Sequence, residues 1–269
     1  MTATRLMPRR IDKVWGRHRL SPWFADAPAE AEPVGEIWFE MPDGSAPELL
    51  VKYLFTSEKL SVQVHPDDSA AQAAGYPRGK DEVWVVLDAE PQATLGLGLT
   101  HVVSRSELRA AALDGSIETL VDWKPAHVGD VVYSRAGTVH AIGPGLAIVE
   151  VQQNVDLTYR LYDYGRPREL HLAAGIAVSS PEPWADERVQ RDLGHGRLLL
   201  AEGPAFTLER WAVSGQGHIM SSGPCWLIPL GSGDVWYLDG PTDWDFGQAS
   251  DVLVAYPLPS AIADLWQPI

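Results

Sequence analysis

Residues 60–66 read Leu60-Ser61-Val62-Gln63-Val64-His65-Pro66, and their alternation decides the fold class. Strand side chains alternate between faces. Leu60, Val62 and Val64 therefore line one face, and Ser61, Gln63 and His65 the other. Pro66 lacks the N–H a ladder needs and ends the run. A face carrying a serine, an amide and an imidazole either meets water or turns into a cavity. Short β-rich runs recur outward from this one, among them ELLVKYLF (48–55), DEVWVVLD (81–88), DVVYSR (130–135), LAIVEVQQ (146–153), RLLLAEG (197–203), FTLERWAV (206–213) and VLVAYP (252–257). Many short strands separated by turn signals predict a mainly β chain folded as a sandwich or barrel.

One segment breaks the pattern. Ser104-Arg-Ser-Glu107 has capping-box spacing and is followed by helical periodicity, which predicts a small helical insertion over about 104–123. A shorter helix is expected in DDSAAQAAG (67–75), opened by Asp67 or Asp68 and closed by Gly75. The pieces GLGL (96–99), GPG (143–145) and GSG (231–233) read as turns. PEPWADER (181–188) reads as a linker between a unit over 1–180 and a smaller β-unit over 181–269.

The totals narrow the function classes. The chain has 269 residues, 45% of them hydrophobic, enough for a sizeable core. A net charge of −15 argues against non-specific binding to nucleic acid or anionic membranes. A single cysteine, Cys225, excludes an internal disulfide framework and a multi-cysteine metal site. No apolar run reaches membrane-spanning length, and the first residues lack the apolar centre of a signal peptide. A soluble cytoplasmic protein is the expectation. Oligomeric state is not legible.

Two hairpins follow from spacing. A turn between Ser57 and Glu58 sets Lys52 across from Gln63, on the face that carries His65. A turn centred on Pro144 puts His140 and Glu150 on one face. Residues 129–140 have the spacing of the second cupin signature, ending in His140, with Arg135 where that signature has proline. Glu82 opens a further strand. Gln63, His65, Glu82 and His140 thus form a candidate metal set of nitrogen and oxygen donors. Zinc suits it, and Fe²⁺, Mn²⁺, Co²⁺ and Ni²⁺ are also compatible.

These residues resemble the type I mannose-6-phosphate isomerases. The resemblance is carried by Trp15-Gly16, Gly35-Glu-Ile-Trp38, residues 51–68, GKDEVW (79–84), GTVHAIGPG (137–145), residues 150–166 and RELHL (168–172). It covers about residues 10–175, with the remainder matching as a degenerate second β-unit. It implies a cupin-type jelly-roll barrel and a metal-dependent aldose–ketose isomerase acting on mannose 6-phosphate and fructose 6-phosphate. One Zn²⁺ per chain is implied, held by Gln63, His65, Glu82 and His140. Lys52, Glu150, Arg160, Asp156 and Lys80 are implied as the active-site residues around it. Two positions depart from the family pattern: Asp81 stands for a threonine and Arg135 for a proline. Arg78 and Lys80 are the expected phosphate contacts.

Isomerisation moves a proton from C2 to C1, which needs a base, stabilisation of an enediolate, and proton transfer between oxygens. The competing readings are a cupin oxygenase with non-haem iron and a non-catalytic sugar-phosphate-binding protein. His101, His127, His171, His195 and His218 lack motifs and are expected in structural or surface roles. Trp84, on the Glu82 face, is expected to wall the cavity.

Overall fold

The computed structural model describes residues 3–186 and 190–269, so the end of the expected linker lies outside the described residues. The chain is mainly β. Strands β1 (Ala3–Arg5), β2 (Met7–Arg17), β3 (Val34–Glu40), β4 (Leu49–Phe55) and β5 (Val62–Val64) lead to helix α1 (Asp68–Ala73). Asp67 caps that helix by accepting the Ala70 amide at 2.8 Å. Strands β6 (Glu82–Ala89) and β7 (Thr94–Leu99) precede the helical insertion, α2 (Arg105–Asp114) and α3 (Ile117–Leu120). Its first helix starts at the expected Ser104/Glu107 capping box and stops at Gly115. Strands β8 (Val121–Pro125), β9 (Val131–Ser134), β10 (His140–Ile142), β11 (Leu146–Gln153) and β12 (Tyr159–Tyr162) follow, and then helix α4 (Leu172–Val178).

The strands up to β12, β1 aside, make two antiparallel sheets. One is six-stranded, in the order β2-β3-β4-β11-β6-β9, and the other five-stranded, in the order β12-β5-β10-β7-β8. Their facing surfaces enclose the cavity described below. This is the jelly-roll arrangement that the resemblance implied, and it meets the sandwich or barrel expected from the strand pattern. The second half of the chain adds β13 (Arg191–Gly194), β14 (Arg197–Glu202), β15 (Thr207–Val213), β16 (Gln216–Ile219), β17 (Pro224–Pro229), β18 (Trp236–Asp239), β19 (Thr242–Asp245), β20 (Ser250–Tyr256) and β21 (Trp266–Pro268). Six of these join β1 in a seven-stranded sheet, so the N-terminal strand pairs with the C-terminal half.

All seven residues of β4 are buried because both of its faces are covered. Its odd-numbered residues Val51, Tyr53 and Phe55 share one apolar core with Phe206, Leu208, Trp226 and Ile228 of the second half. Its even-numbered residues Lys52 and Leu54 line the cavity described below. Arg197 and Glu209 are both fully buried and bonded to each other through two guanidinium nitrogens at 2.8 Å. Trp211 and Tyr256 donate to the same carboxylate, and Arg197 also donates to the Ile262 and Ala263 carbonyls. A buried ion pair is tolerated when its remaining hydrogen-bonding capacity is met in this way.

Two sequence readings are corrected. The GLGL piece is the body of β7, not a turn. Its glycines serve close approach: Gly98 has φ +66°, and a Cβ there would lie 2.2 Å from the Trp184 nitrogen. The two hairpins are not hairpins. β4 pairs with β3 and β11, and β5 pairs with β10 and β12, so the 56–59 connection crosses from one sheet to the other. The GPG connection does the same between β10 and β11. Helix α4 was not anticipated. None of the described helices is long and apolar enough to cross a membrane.

Candidate active site

The two sheets face each other across a cavity of about 360 Å³. Lys52, Leu54, Glu36, Trp38 and Glu150 line it from the six-stranded side, and Ser61, Gln63, Ile142 and Arg160 from the other. Cross-strand register explains the grouping. Trp38 pairs with Lys52, Lys52 with Glu150, and Glu150 with Trp84, one row running across four strands. In the facing sheet, Gln63 pairs with both His140 and Arg160.

Directly behind Gln63 and Lys80, which line the cavity, His65, Glu82 and His140 offer ligand atoms that all lie within 4.8 Å of one another. All three are buried. His140 Nε2 lies 3.1 Å from Glu82 Oε1, and His65 Nε2 lies 3.5 Å from Oε2. Both imidazoles commit the other nitrogen to the backbone. His65 Nδ1 donates to the Leu157 carbonyl and His140 Nδ1 to the Thr138 carbonyl, each at 2.9 Å. That fixes the tautomer and leaves each Nε2 with a lone pair aimed at the carboxylate. Lys80 Nζ now stands 3.1 Å from His65 Nε2 and 2.9 Å from Glu82 Oε2. Gln63 Nε2 donates toward His140 Nε2 at 3.3 Å, and its amide oxygen accepts from Ser61. An amide's two ends exchange by a half-turn, and ligation through the Gln63 oxygen requires that turn.

The electrostatics suit a cation. Burial pushes His65 well below the usual imidazole range, with Lys80 adding to the effect. Burial likewise holds His140 down at about 4. Both are therefore neutral, the form that ligates metals. Burial pushes the Glu82 carboxyl up to about 7, with Lys80 pulling the other way. Neither Glu82 oxygen has a hydrogen bond of regular geometry among the described residues. A fully buried carboxylate left so is costly, and a divalent ion between it and two bare Nε2 atoms removes that cost. The donor set fits a metal.

The walls carry the other implied residues. Lys52 Nζ lies 3.1 Å from Glu150 Oε1, donates to Gln152 Oε1, and sits 4.6 Å from the Trp38 ring centroid. Glu150 also accepts from Trp84 Nε1 at 3.1 Å. Burial acts to raise the Glu150 carboxyl, but Lys52 and Lys80 outweigh it and hold it below the usual range. Trp84 packs against His140 with ring centroids 5.3 Å apart, under the floor and not in the wall. Asp156 is exposed at the rim. Arg160 does not pair with Glu150. Its guanidinium donates to the Glu169 carbonyl at 2.7 Å, and its Nε has no partner among the described residues. His171 supports it by accepting from the Arg160 amide.

Arg78 does not line the cavity; it reaches toward the Pro47 carbonyl, so its expected phosphate contact has no support. The rim cations are Arg9, Lys13 and Arg168, paired with Glu40, Glu36 and Asp163 in turn. Glu36 and Trp38 were quoted for their resemblance but given no role. Strict alternation along β3, with Ile37 and Phe39 buried on the opposite face, was the signal that places them in the cavity.

No protein-family model matches the chain. It is 34% identical over 198 residues to a mannose-6-phosphate isomerase of Streptococcus mutans, covering 69% of this chain and 61% of that protein. It therefore spans less than two thirds of that relative's length. It is 33% identical over 243 residues to a mannose-6-phosphate isomerase of Bacillus subtilis, covering 84% of this chain and 76% of that one. The crystal structure of the Bacillus subtilis mannose 6-phosphate isomerase matches with a TM-score of 0.78 at 25% identity, over 95% of this chain and 100% of that one. With a third of its residues shared along three quarters of the second relative, the chain belongs to the mannose-6-phosphate isomerase family.

Proposed function

We propose that this chain interconverts mannose 6-phosphate and fructose 6-phosphate in the cavity between its two sheets, with one divalent cation, zinc by preference, held by His65, Glu82, His140 and a rotated Gln63. The observation that carries this is the group of two neutral Nε2 atoms and a buried carboxylate, in contact with Gln63 and Lys80 of a charge-lined cavity. When bound, the cation supplies Lewis acidity and orients sugar oxygens. The protein's own groups do the rest. Glu150, ionised and buried, takes a proton, and the adjacent Lys52 ammonium returns one, so the pair is a two-ended proton carrier. The cationic Arg160, with donor capacity to spare, faces the charge that develops on the sugar oxygens. Asp156 at the rim and Lys80 at the floor complete the set. All of these residues lie within 1–180, and the unit over 181–269 supports the sheet from behind.

The same two histidines and one carboxylate suit non-haem iron. The Lys52–Glu150 pair favours the isomerase, since oxygen chemistry does not call for such a proton carrier.

A coupled assay for mannose 6-phosphate conversion tests the reading. Turnover should vanish with a chelator and return with added Zn²⁺. A folded, zinc-loaded sample that forms no fructose 6-phosphate rules the reading out. Arg160→Ala should keep metal and fold while lowering kcat at least about tenfold, the lower end for loss of an oxyanion donor. Unchanged kcat removes Arg160 from the chemistry.

A further inference from the structure

The turn between β9 and β10 touches both histidines of the candidate metal group. Gly137, at φ +90°, donates its amide to the His65 carbonyl at 2.8 Å, and the Thr138 carbonyl accepts from His140 Nδ1. A third tie runs to the neighbour of Glu82. Glu82 pairs with Ser134 in the β6–β9 ladder, which sets Asp81 across from Arg135 one step further on. The Asp81 carboxylate is 5% exposed and accepts two hydrogen bonds. Tyr133 donates its hydroxyl to Oδ2 at 2.6 Å, and the Ala136 amide donates to Oδ1 at 2.8 Å. The Asp81 backbone is pinned as well. Its amide donates to Gln153 Oε1 at 2.9 Å, and its carbonyl accepts from the Gln153 amide at 3.0 Å.

Burying a carboxylate is costly unless it is well bonded. Here those bonds join the strand that begins at Glu82 to the turn that delivers His140. The Arg135 guanidinium lies 5.9 Å from the Tyr133 ring centroid, beside the hydroxyl donor of Asp81. Asp81 and Arg135, the two positions that depart from the pattern carried by the resemblance, thus flank the last pair of the β6–β9 ladder.

We propose that Asp81 is a positioning residue which, through Ala136 and Tyr133, holds Glu82 and His140 in register for a divalent cation. The proposal rests on the metal reading above. Its effect is on affinity and coordination geometry, not on the chemical step itself.

The test is the Zn²⁺ dissociation constant of the full chain, by competition with a chromophoric chelator, for wild type, D81A, D81N and Y133F. The visible spectrum of each cobalt-loaded protein and the melting midpoint of each metal-free form are read alongside. Removing a group that orients a ligand typically weakens metal binding about 10- to 100-fold. D81A should fall in that range. D81N, whose amide oxygen still accepts from Ala136, should lose less, and both should shift the cobalt bands. If D81A does not fold, D81N and Y133F carry the comparison. Variants that melt earlier but keep wild-type zinc affinity and cobalt spectrum overturn the proposal. A wild-type chain without zinc affinity overturns the metal reading and this proposal with it.

Discussion

His140→Ala should yield a folded protein with no bound metal and no isomerase turnover. His140 contributes one of three converging ligand atoms, and its ring is held by the Thr138 carbonyl and packed on Trp84. Alanine removes the donor and opens a gap beside a fully buried Glu82 whose only gain from burial is the company of cations. Of the four proposed donors only His65, Glu82 and the amide of Gln63 remain, and an amide oxygen is a weak substitute for an imidazole in a zinc site. Metal content by atomic emission should fall below about a tenth of the wild-type value, with the far-ultraviolet spectrum unchanged. Full metal content in the variant sinks the ligand assignment, whatever the activity.

Lys52→Met should do the opposite: keep the metal and lose the rate. Methionine keeps an apolar stem against Trp38 but removes the ammonium that faces Glu150 at 3.1 Å. Loss of one positioned acid–base group costs about 10²- to 10⁴-fold in rate, and kcat should fall by that much with KM changed far less. Stability should suffer too. Breaking a buried ion pair from one side costs about 3–5 kcal/mol, and Glu36, 4.0 Å from the same ammonium, loses a counter-charge as well. A Lys52→Met protein that turns over within threefold of wild type removes the pair from the mechanism.

The floor of the site was readable because its residues sit in short, ordered motifs. Gln63 and His65 share a strand face by parity alone, and His140 closes a glycine-rich run with a recognisable spacing. Lys52 was placed in the cavity through a hairpin that does not exist. The location agrees with the structure because β4 and β5 belong to opposite walls, and the inner faces of both walls meet the same space. Parity along a strand is local and survives; which strands pair is non-local and does not follow from loop length once the short connection over 56–61 crosses between sheets. Glu36 and Trp38 were passed over because a carboxylate and an indole on a strand near the N-terminus carry no motif of their own. Their role emerges only when β3 is laid beside β4. GLGL misled for a related reason: its glycines answer to distant partners, Gly98 to Trp184 and Gly96 to Val121 and Ala141.

The candidate ligands hang from different walls. Glu82 belongs to the six-stranded sheet, while His65 and His140 sit at the ends of strands in the five-stranded one. A cation shared among them is therefore a rivet through the sandwich. At a hundred times its dissociation constant such a ligand adds about 2.7 kcal/mol to the folded state, all of it acting against separation of the two layers. Breathing of the barrel and escape of the ion become one motion. Amide exchange along β5 and β6 should slow together when the metal enters.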